Sequence, residues 1–117
     1  MSGKYLLVLS FLSLVAAAGC KKSQAAEEPT TQGRELFANA CSRCHGSDGS
    51  GGFPQAAGLP SPRNFHDHAF QASHTDEQIE QTIQNGKGTA MPAFGATFDP
   101  AQRKALVRMV RSFDPEK

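Results

Sequence analysis

Apolar residues recur at helical spacing in three stretches of this chain. The first predicted helix runs from about Gln32 to Cys41, with Thr31 as its candidate cap. Its apolar face is built from residues spaced i, i+4, i+7, i+8 and i+11. These residues are Gly33, Phe37, Ala40, Cys41 and Cys44. Because Gly33 has no side chain, we expect another helix to cross this face closely.

The second predicted helix runs from Asp76 to Asn85 and opens with a capping box. Thr75 precedes it and Gln78 stands at its third position, so each can satisfy a backbone N–H that the first turn leaves without a partner. Gly86 follows where the helix should end. Its apolar edge consists of Ile79 and Ile83.

The third predicted helix begins at Asp99 and Pro100, an N-cap followed by proline at the first helical position. Its inner face carries Leu106, Met109, Val110 and Phe113. Its opposite face carries Lys104, Arg108 and Arg111. We interpret this basic stripe as a solvated outer face, and docking of an acidic redox partner is the alternative.

Composition favours a single small domain that needs help to form a core. The 117 residues are 38% hydrophobic, with no Trp but 11 Gly and 7 Pro, and they show no strand pattern and no internal repeat. Small domains bury a modest fraction of their surface, so a large buried cofactor would help to hold this one together. The formal charge of +1, without a basic run and interleaved aromatics, argues against a nucleic-acid partner.

The first residues read as an export signal rather than as part of the fold. The apolar run Tyr5 to Ala18 is shorter than the roughly 20 residues that span a membrane, and it follows a short start that carries Lys4. Cleavage after Ala18 would give a soluble periplasmic protein. Alternatively, the residues before Cys20 resemble a lipobox, after which Cys20 becomes the lipid-modified first residue.

Cysteine count favours the lipid-anchored alternative. Of three cysteines, Cys41 and Cys44 form a pair, and Cys20 is left over where the signal ends. The expected organisation is therefore a signal peptide over 1–19, a lipid-anchored flexible tether over 20–30, and a folded domain over 31–117. The domain would lie at the periplasmic face of a membrane.

Cys41, Cys44 and His45 form the sequence C-x-x-C-H, the attachment signature of c-type haem. Two thiols three residues apart near a helix end can each bond one vinyl group of the same porphyrin, and His45 then supplies the proximal iron ligand. A thioredoxin-like redox pair would need a strand–helix–strand setting, which this chain lacks. A zinc site would need further ligands at suitable spacing.

Met91 is the candidate for the second axial ligand. It precedes Pro92, which favours an extended backbone, and it lies in a loop with Gly86 and Gly95 at its ends. Such a loop can fold over a flat cofactor and direct one thioether inward. Met109 lies on a predicted apolar helix face, where Met more often fills a core.

Together these motifs resemble the class I c-type cytochromes over roughly Gly33 to Phe113. The resemblance rests on Gly33–Phe37, Cys41–Gly46, Ile83–Lys87, Met91–Phe94 and Leu106–Phe113. It implies an all-α small cytochrome c fold, with the first and last helices crossing and one covalent haem c ligated by His45 and Met91. It also implies that a proline carbonyl, of Pro60 or of Pro62, hydrogen-bonds His45.

The resemblance implies an electron carrier rather than an enzyme, with redox proteins as donors and acceptors and with no small-molecule substrate. Two alternatives stay open: a gas-reactive or peroxide-reactive haem site with a labile Met91, and a cytochrome subunit of a larger oxidoreductase.

Four further side chains carry more than one interpretation. His66, His68 and His74 are interpreted as exposed loop histidines, with rival axial ligands or a surface metal site as alternatives. Arg63 either pairs with a haem propionate or is a solvated loop residue.

Overall fold

The computed structural model describes residues 28–117, which form five helices. They are α1 (Thr31–Ala40), α2 (Ser42–His45), α3 (His68–Ser73), α4 (Asp76–Asn85) and α5 (Pro100–Arg111). The described residues contain no strand, and an isolated bridge pairs Lys87 with Met91. The predicted all-α class is therefore confirmed. The predicted signal over 1–19, Cys20 and most of the predicted tether lie outside the described residues.

The structure corrects the start of α1. Thr30, not Thr31, is the N-cap: its backbone is extended, and its hydroxyl accepts a hydrogen bond of 3.0 Å from the Gly33 N–H. Thr31 is already the first residue of the helix, and a capping residue has to stay outside it. The helix ends at Ala40 rather than Cys41, because Cys41 forms the junction between α1 and α2.

Helix α4 has both of its predicted bounds and the predicted capping box. The Thr75 hydroxyl accepts from the Gln78 N–H at 3.2 Å, and the Gln78 side chain accepts from the Thr75 N–H at 2.9 Å. Helix α5 begins at Pro100 as predicted. It has a second capping box, formed by Asp99 and Gln102, which the sequence analysis missed.

Helices α2 and α3 were not predicted. Each is too short, at four and six residues, for apolar periodicity to be visible. The local signal for α3 is the Asp67 carboxylate, which accepts hydrogen bonds from the N–H groups of Ala69 and Phe70. A cap without a following periodic pattern was insufficient to reveal the helix.

Helices α1 and α5 cross closely at Gly33, as predicted. A Cβ atom on Gly33 would lie 2.5 Å from the carbonyl oxygen of Ala105 in α5. Phe37 and Leu106 are the largest fully buried side chains, at 2% and 1% exposure. The remaining buried core side chains are Phe65, Ile79, Ile83, Phe98, Val107 and Val110. The crossing therefore packs α1, the helix that directly precedes Cys41, against α5 in the core.

Gly33→Ala is expected to lower the free energy of unfolding by about 1–2 kcal/mol, because the added methyl group has no room beside the Ala105 carbonyl and such overpacking costs up to about 3 kcal/mol. That cost exceeds the gain in helix propensity of about 1 kcal/mol. Denaturant titration of haem-loaded protein would measure it. The matched control is Gln32→Ala, an exposed position of the same helix, which should change stability little. Equal stability of wild type and Gly33→Ala would contradict this packing.

The outer face of α5 differs from the prediction. Lys104 is exposed, but the Arg111 side chain is only 19% exposed and lies 2.7 Å from an Asp76 carboxylate oxygen. Arg111 also donates to the Gln71 and His74 carbonyls, so it is not part of a solvated stripe. These partners lie far away in sequence, and helix periodicity does not reveal them.

Candidate functional site

The two paired cysteines lie where α1 ends and α2 begins. The N–H groups of Cys44 and His45 both donate to the Cys41 carbonyl, at 3.1 and 2.9 Å, which closes a tight helical turn. Both thiols are half-buried, and Cys41 packs against the core cluster. This turn therefore presents two thiols and one imidazole from five consecutive residues.

The electrostatics of the Cys41 thiol do not suit a redox-active cysteine pair. Burial, and secondarily the neighbouring Cys44, raise the pKa of the Cys41 thiol to about 11. Reactive cysteines in thiol–disulfide enzymes have a lowered pKa, because the thiolate is the nucleophile. The setting of Cys41 therefore argues against thioredoxin-like chemistry.

His45 is oriented by a backbone carbonyl. Its Nδ1 lies 3.0 Å from the Arg63 carbonyl oxygen, so a neutral ring donates its Nδ1–H there and keeps the Nε2 lone pair for a metal. Burial lowers the pKa of the imidazole, and the hydrogen bond to Arg63 partly opposes this shift. The neutral form, which is the one that ligates iron, is thus favoured.

The structure corrects the expected source of this carbonyl, which is neither Pro60 nor Pro62. A Cβ atom on Gly51 would lie 2.9 Å from the Pro62 carbonyl oxygen, so that carbonyl faces the Gly51 loop. The next carbonyl, of Arg63, faces His45 instead. The one-residue difference follows from the path of the loop, which the sequence pattern does not specify.

Phe65 is a residue of this site that sequence reasoning missed. Its ring stacks on the His45 imidazole, with centroids 4.6 Å apart and planes inclined by 18°. Its N–H donates to the Gly49 carbonyl at 2.8 Å, and its carbonyl accepts from the buried Gln71 amide at 2.8 Å. Phe65 is 8% exposed, and it therefore limits rotation of the imidazole from within the core.

The Arg63 side chain lies in neither a purely solvated nor a deeply buried setting. Its guanidinium is 3.5 Å from an Asp67 carboxylate oxygen and 5.3 Å from the centre of the Phe70 ring. The side chain is 51% exposed. The Arg63 side chain thus contacts two residues that follow it in the chain, while the backbone carbonyl of Arg63 bonds His45.

Met91 lies in a loop that returns against the end of α4. Its N–H and carbonyl pair with Lys87 at 3.3 and 2.9 Å, and a Cβ atom on Gly86 would lie 2.5 Å from the Met91 carbonyl oxygen. Gly86 has φ of +74°, a conformation that glycine adopts readily. Met91 and Met109 are both half-buried and pack against the core cluster that also contacts Cys41.

The three other histidines have local partners. The exposed His66 ring bonds the Asp48 carbonyl at 2.8 Å, whereas His74 is half-buried at the end of α3 and bonds the Phe70 carbonyl. His68 belongs to α3, and its hydrogen bond to Asp114 raises its pKa. The expectation of exposed loop histidines therefore holds fully for His66 only, because His68 is exposed but begins α3, and His74 is half-buried. Among residues 28–117, no group of three or more His, Cys, Asp or Glu side chains is placed to bind a metal ion.

The residues present fit a covalently bound haem. The turn offers two thiols for thioether bonds, and His45 offers an oriented imidazole with its Nε2 lone pair available. The Met91 thioether side chain and Cys41 pack against the same apolar core cluster. A helical fold with this donor set defines the class of c-type cytochromes.

Comparison with known proteins agrees with this class. Residues 28–109 match the family model described as Cytochrome C oxidase, cbb3-type, subunit III. The chain belongs to this family of cytochromes c, and haem c is its covalently bound cofactor.

Two relatives and one solved structure illustrate the similarity. The chain is 36% identical to the cbb3-type cytochrome c oxidase subunit CcoP of Rubrivivax gelatinosus over 109 residues, 91% of this chain and 32% of that protein. It is 37% identical to the subunit FixP of Azorhizobium caulinodans over 81 residues, 69% of this chain and 26% of that protein. The solved KustC0563 c-type cytochrome matches with a TM-score of 0.62 and 35% identity, covering 70% of this chain and 96% of that one.

The chain spans about a third or less of the length of these two oxidase subunits. The solved structure has the same small fold. Of the helices that the structure describes, none is long and apolar enough to cross a bilayer.

Proposed function

We propose that this protein is a single-electron carrier with one haem c, attached through Cys41 and Cys44 and axially ligated by His45 and Met91. The observation that carries the proposal is the orientation of His45, whose Nδ1 is engaged by the Arg63 carbonyl at 3.0 Å directly beside the paired thiols. When bound, the haem supplies an iron that alternates between the ferric and ferrous states.

The residues of the chain suit outer-sphere electron transfer. His45 and Met91 would fill both axial positions, which leaves no position for a substrate. A thioether is a soft donor that favours ferrous iron and raises the reduction potential. Phe65 and the Arg63 carbonyl restrain His45, so the ligand geometry changes little between oxidation states.

Carbon monoxide binding tests the carrier against a gas-reactive or peroxide-reactive site. The reduced wild-type protein should give nearly the same absorption spectrum with and without carbon monoxide, because Met91 holds the position that the gas would take. Avid binding by undamaged wild type would favour the reactive site with a labile Met91.

Membership of the oxidase-subunit family supports a second candidate, in which the domain donates electrons as part of a larger oxidoreductase. Both candidates use the same haem chemistry and differ in their partner. Purification of the tagged protein from its native membranes separates them. Co-purification of an oxidoreductase in a stoichiometric amount would favour the subunit. Purification of the cytochrome alone would favour a carrier that binds its redox partners transiently.

We further propose that Cys20 is lipid-modified and holds the domain at the periplasmic face of a membrane through the segment 20–30. Cys20→Ser is then expected to move the protein from the membrane fraction to the soluble fraction, because the proposed lipid anchor is lost. Immunoblotting of fractionated cells measures this, with Ser23→Ala as the matched control in the same segment. If wild type is already in the soluble fraction, cleavage after Ala18 becomes the preferred account.

A further inference from the structure

The loop from Gly86 to Phe98, here called the Met91 loop, is fastened to the end of α4. The Phe94 N–H donates to the Ile83 carbonyl and the next N–H, of Gly95, donates to the next carbonyl of α4, both at 2.9 Å. These bonds hold the middle of the loop against the helix. They do not by themselves fix the end that leads into α5.

Phe98 fixes that second end within the core. Its ring stacks on Phe94, with centroids 5.5 Å apart and planes inclined by 15°, and its side chain is buried. Its N–H donates to the Phe94 carbonyl at 2.9 Å. Its own carbonyl accepts a hydrogen bond of 2.6 Å from Nη1 of Arg103 in α5. Phe98 is therefore joined by two contacts to Phe94, three residues from Met91.

Arg103 is a buried cation that joins three elements. Its Nε lies 3.4 Å from a carboxylate oxygen of Glu80 in α4, and the two side chains are 10% and 22% exposed. A hydrogen bond from a charged donor is stronger than one between neutral groups, and loss of one buried partner leaves the other without compensation. Arg103 thus ties α4 and α5 to the final residue of the Met91 loop.

We propose that Arg103, held by Glu80, is a positioning residue that keeps the Met91 loop closed and so limits how often Met91 leaves the iron. The inference rests on the proposed ligation by Met91. It assigns to the partly buried pair of Arg103 and Glu80, together with the bond from Arg103 to Phe98, control over whether small ligands can reach the iron. Removing the pair should open the loop locally without releasing the haem, since Cys41, Cys44 and His45 belong to another part of the chain.

The test measures the rate at which added imidazole displaces Met91 from ferric iron, followed by loss of the Met–ferric charge-transfer band. Arg103→Gln is expected to raise this rate about tenfold or more, because the buried Phe98 carbonyl loses its charged donor. Glu80→Gln, which keeps the shape of the partner and removes its charge, should raise it by less. The matched control is Lys104→Gln, the exposed neighbour in α5, which should leave the rate unchanged.

Amide hydrogen exchange supplies a readout independent of the iron. The N–H groups of Phe94, Gly95 and Phe98 should exchange faster in Arg103→Gln, while that of Cys41, which bonds the Phe37 carbonyl, should not. An unchanged imidazole rate together with uniformly faster exchange throughout the domain would overturn the proposal. If Arg103→Gln does not fold, Glu80→Gln decides by the same two measurements. Absence of the charge-transfer band from wild type would contradict the ligation by Met91 itself, and the exchange data would still report loop closure.

Discussion

Replacing Cys41 or Cys44 with Ala is expected to give a chain whose haem is lost or is held by a single thioether. Each thiol of the turn can bond only one vinyl group, so neither substitutes for the other. Mass spectrometry after denaturation, combined with the haem absorption of the native protein, measures the retained fraction. Cys20→Ser is the matched control, because Cys20 precedes the residues 28–109 that match the cytochrome family and its loss should leave the haem content unchanged.

Loss of both thioethers should also remove most of the folded structure. The described core is one small cluster in which Phe37 and Leu106 are the largest fully buried side chains, and a domain of this size needs an additional contribution to its stability. The double variant Cys41→Ala/Cys44→Ala, prepared without haem, is therefore expected to show weak helical circular dichroism and no cooperative melting. A cooperative thermal transition in haem-free protein would show that the polypeptide core suffices.

Met91→Ala should keep the covalent haem, open one coordination position and let the ferrous form bind carbon monoxide. It should lower the reduction potential by on the order of 0.1 V, a part of the roughly 0.8 V range that axial ligation spans. The direction follows because a soft donor that stabilises ferrous iron is replaced by water or another hard ligand, which favours ferric iron. Potentiometric titration and carbon monoxide difference spectra measure the two effects.

Met109→Leu is the matched control for this experiment. Met109 packs against the same core cluster as Met91, but it belongs to α5, and its sulfur is 3.8 Å from the Ser112 hydroxyl. The exchange conserves volume and should cost under about 1.5 kcal/mol. Loss of the Met–ferric charge-transfer band in Met109→Leu, with its retention in Met91→Ala, would reverse the ligand assignment.

The features that could be predicted from the sequence are those with local causes. Helix α4 was predicted at both ends because its capping box, its apolar edge and its terminal Gly86 are contiguous in the chain. The close crossing at Gly33 was predicted because a glycine on an apolar helix face allows the backbone of another helix to approach closely. The haem-attachment residues of the C-x-x-C-H motif likewise lie within five consecutive positions.

The features that could not be predicted depend on how distant segments meet. Arg111 was interpreted as part of a solvated helix face and Arg103 was not singled out, because their partners Asp76 and Glu80 belong to another helix. The carbonyl that orients His45 was expected from a proline. The loop path instead presents Arg63, and no periodic pattern encodes the direction of a single carbonyl.

Mass spectrometry of the denatured wild-type protein, expressed in a host that assembles c-type cytochromes, tests the central claim most directly. We predict the mass of the processed chain plus one haem, with both Cys41 and Cys44 modified in the peptide that contains them. A chain carrying no added haem, with both thiols free, would contradict the assignment of this protein as a haem-bearing electron carrier.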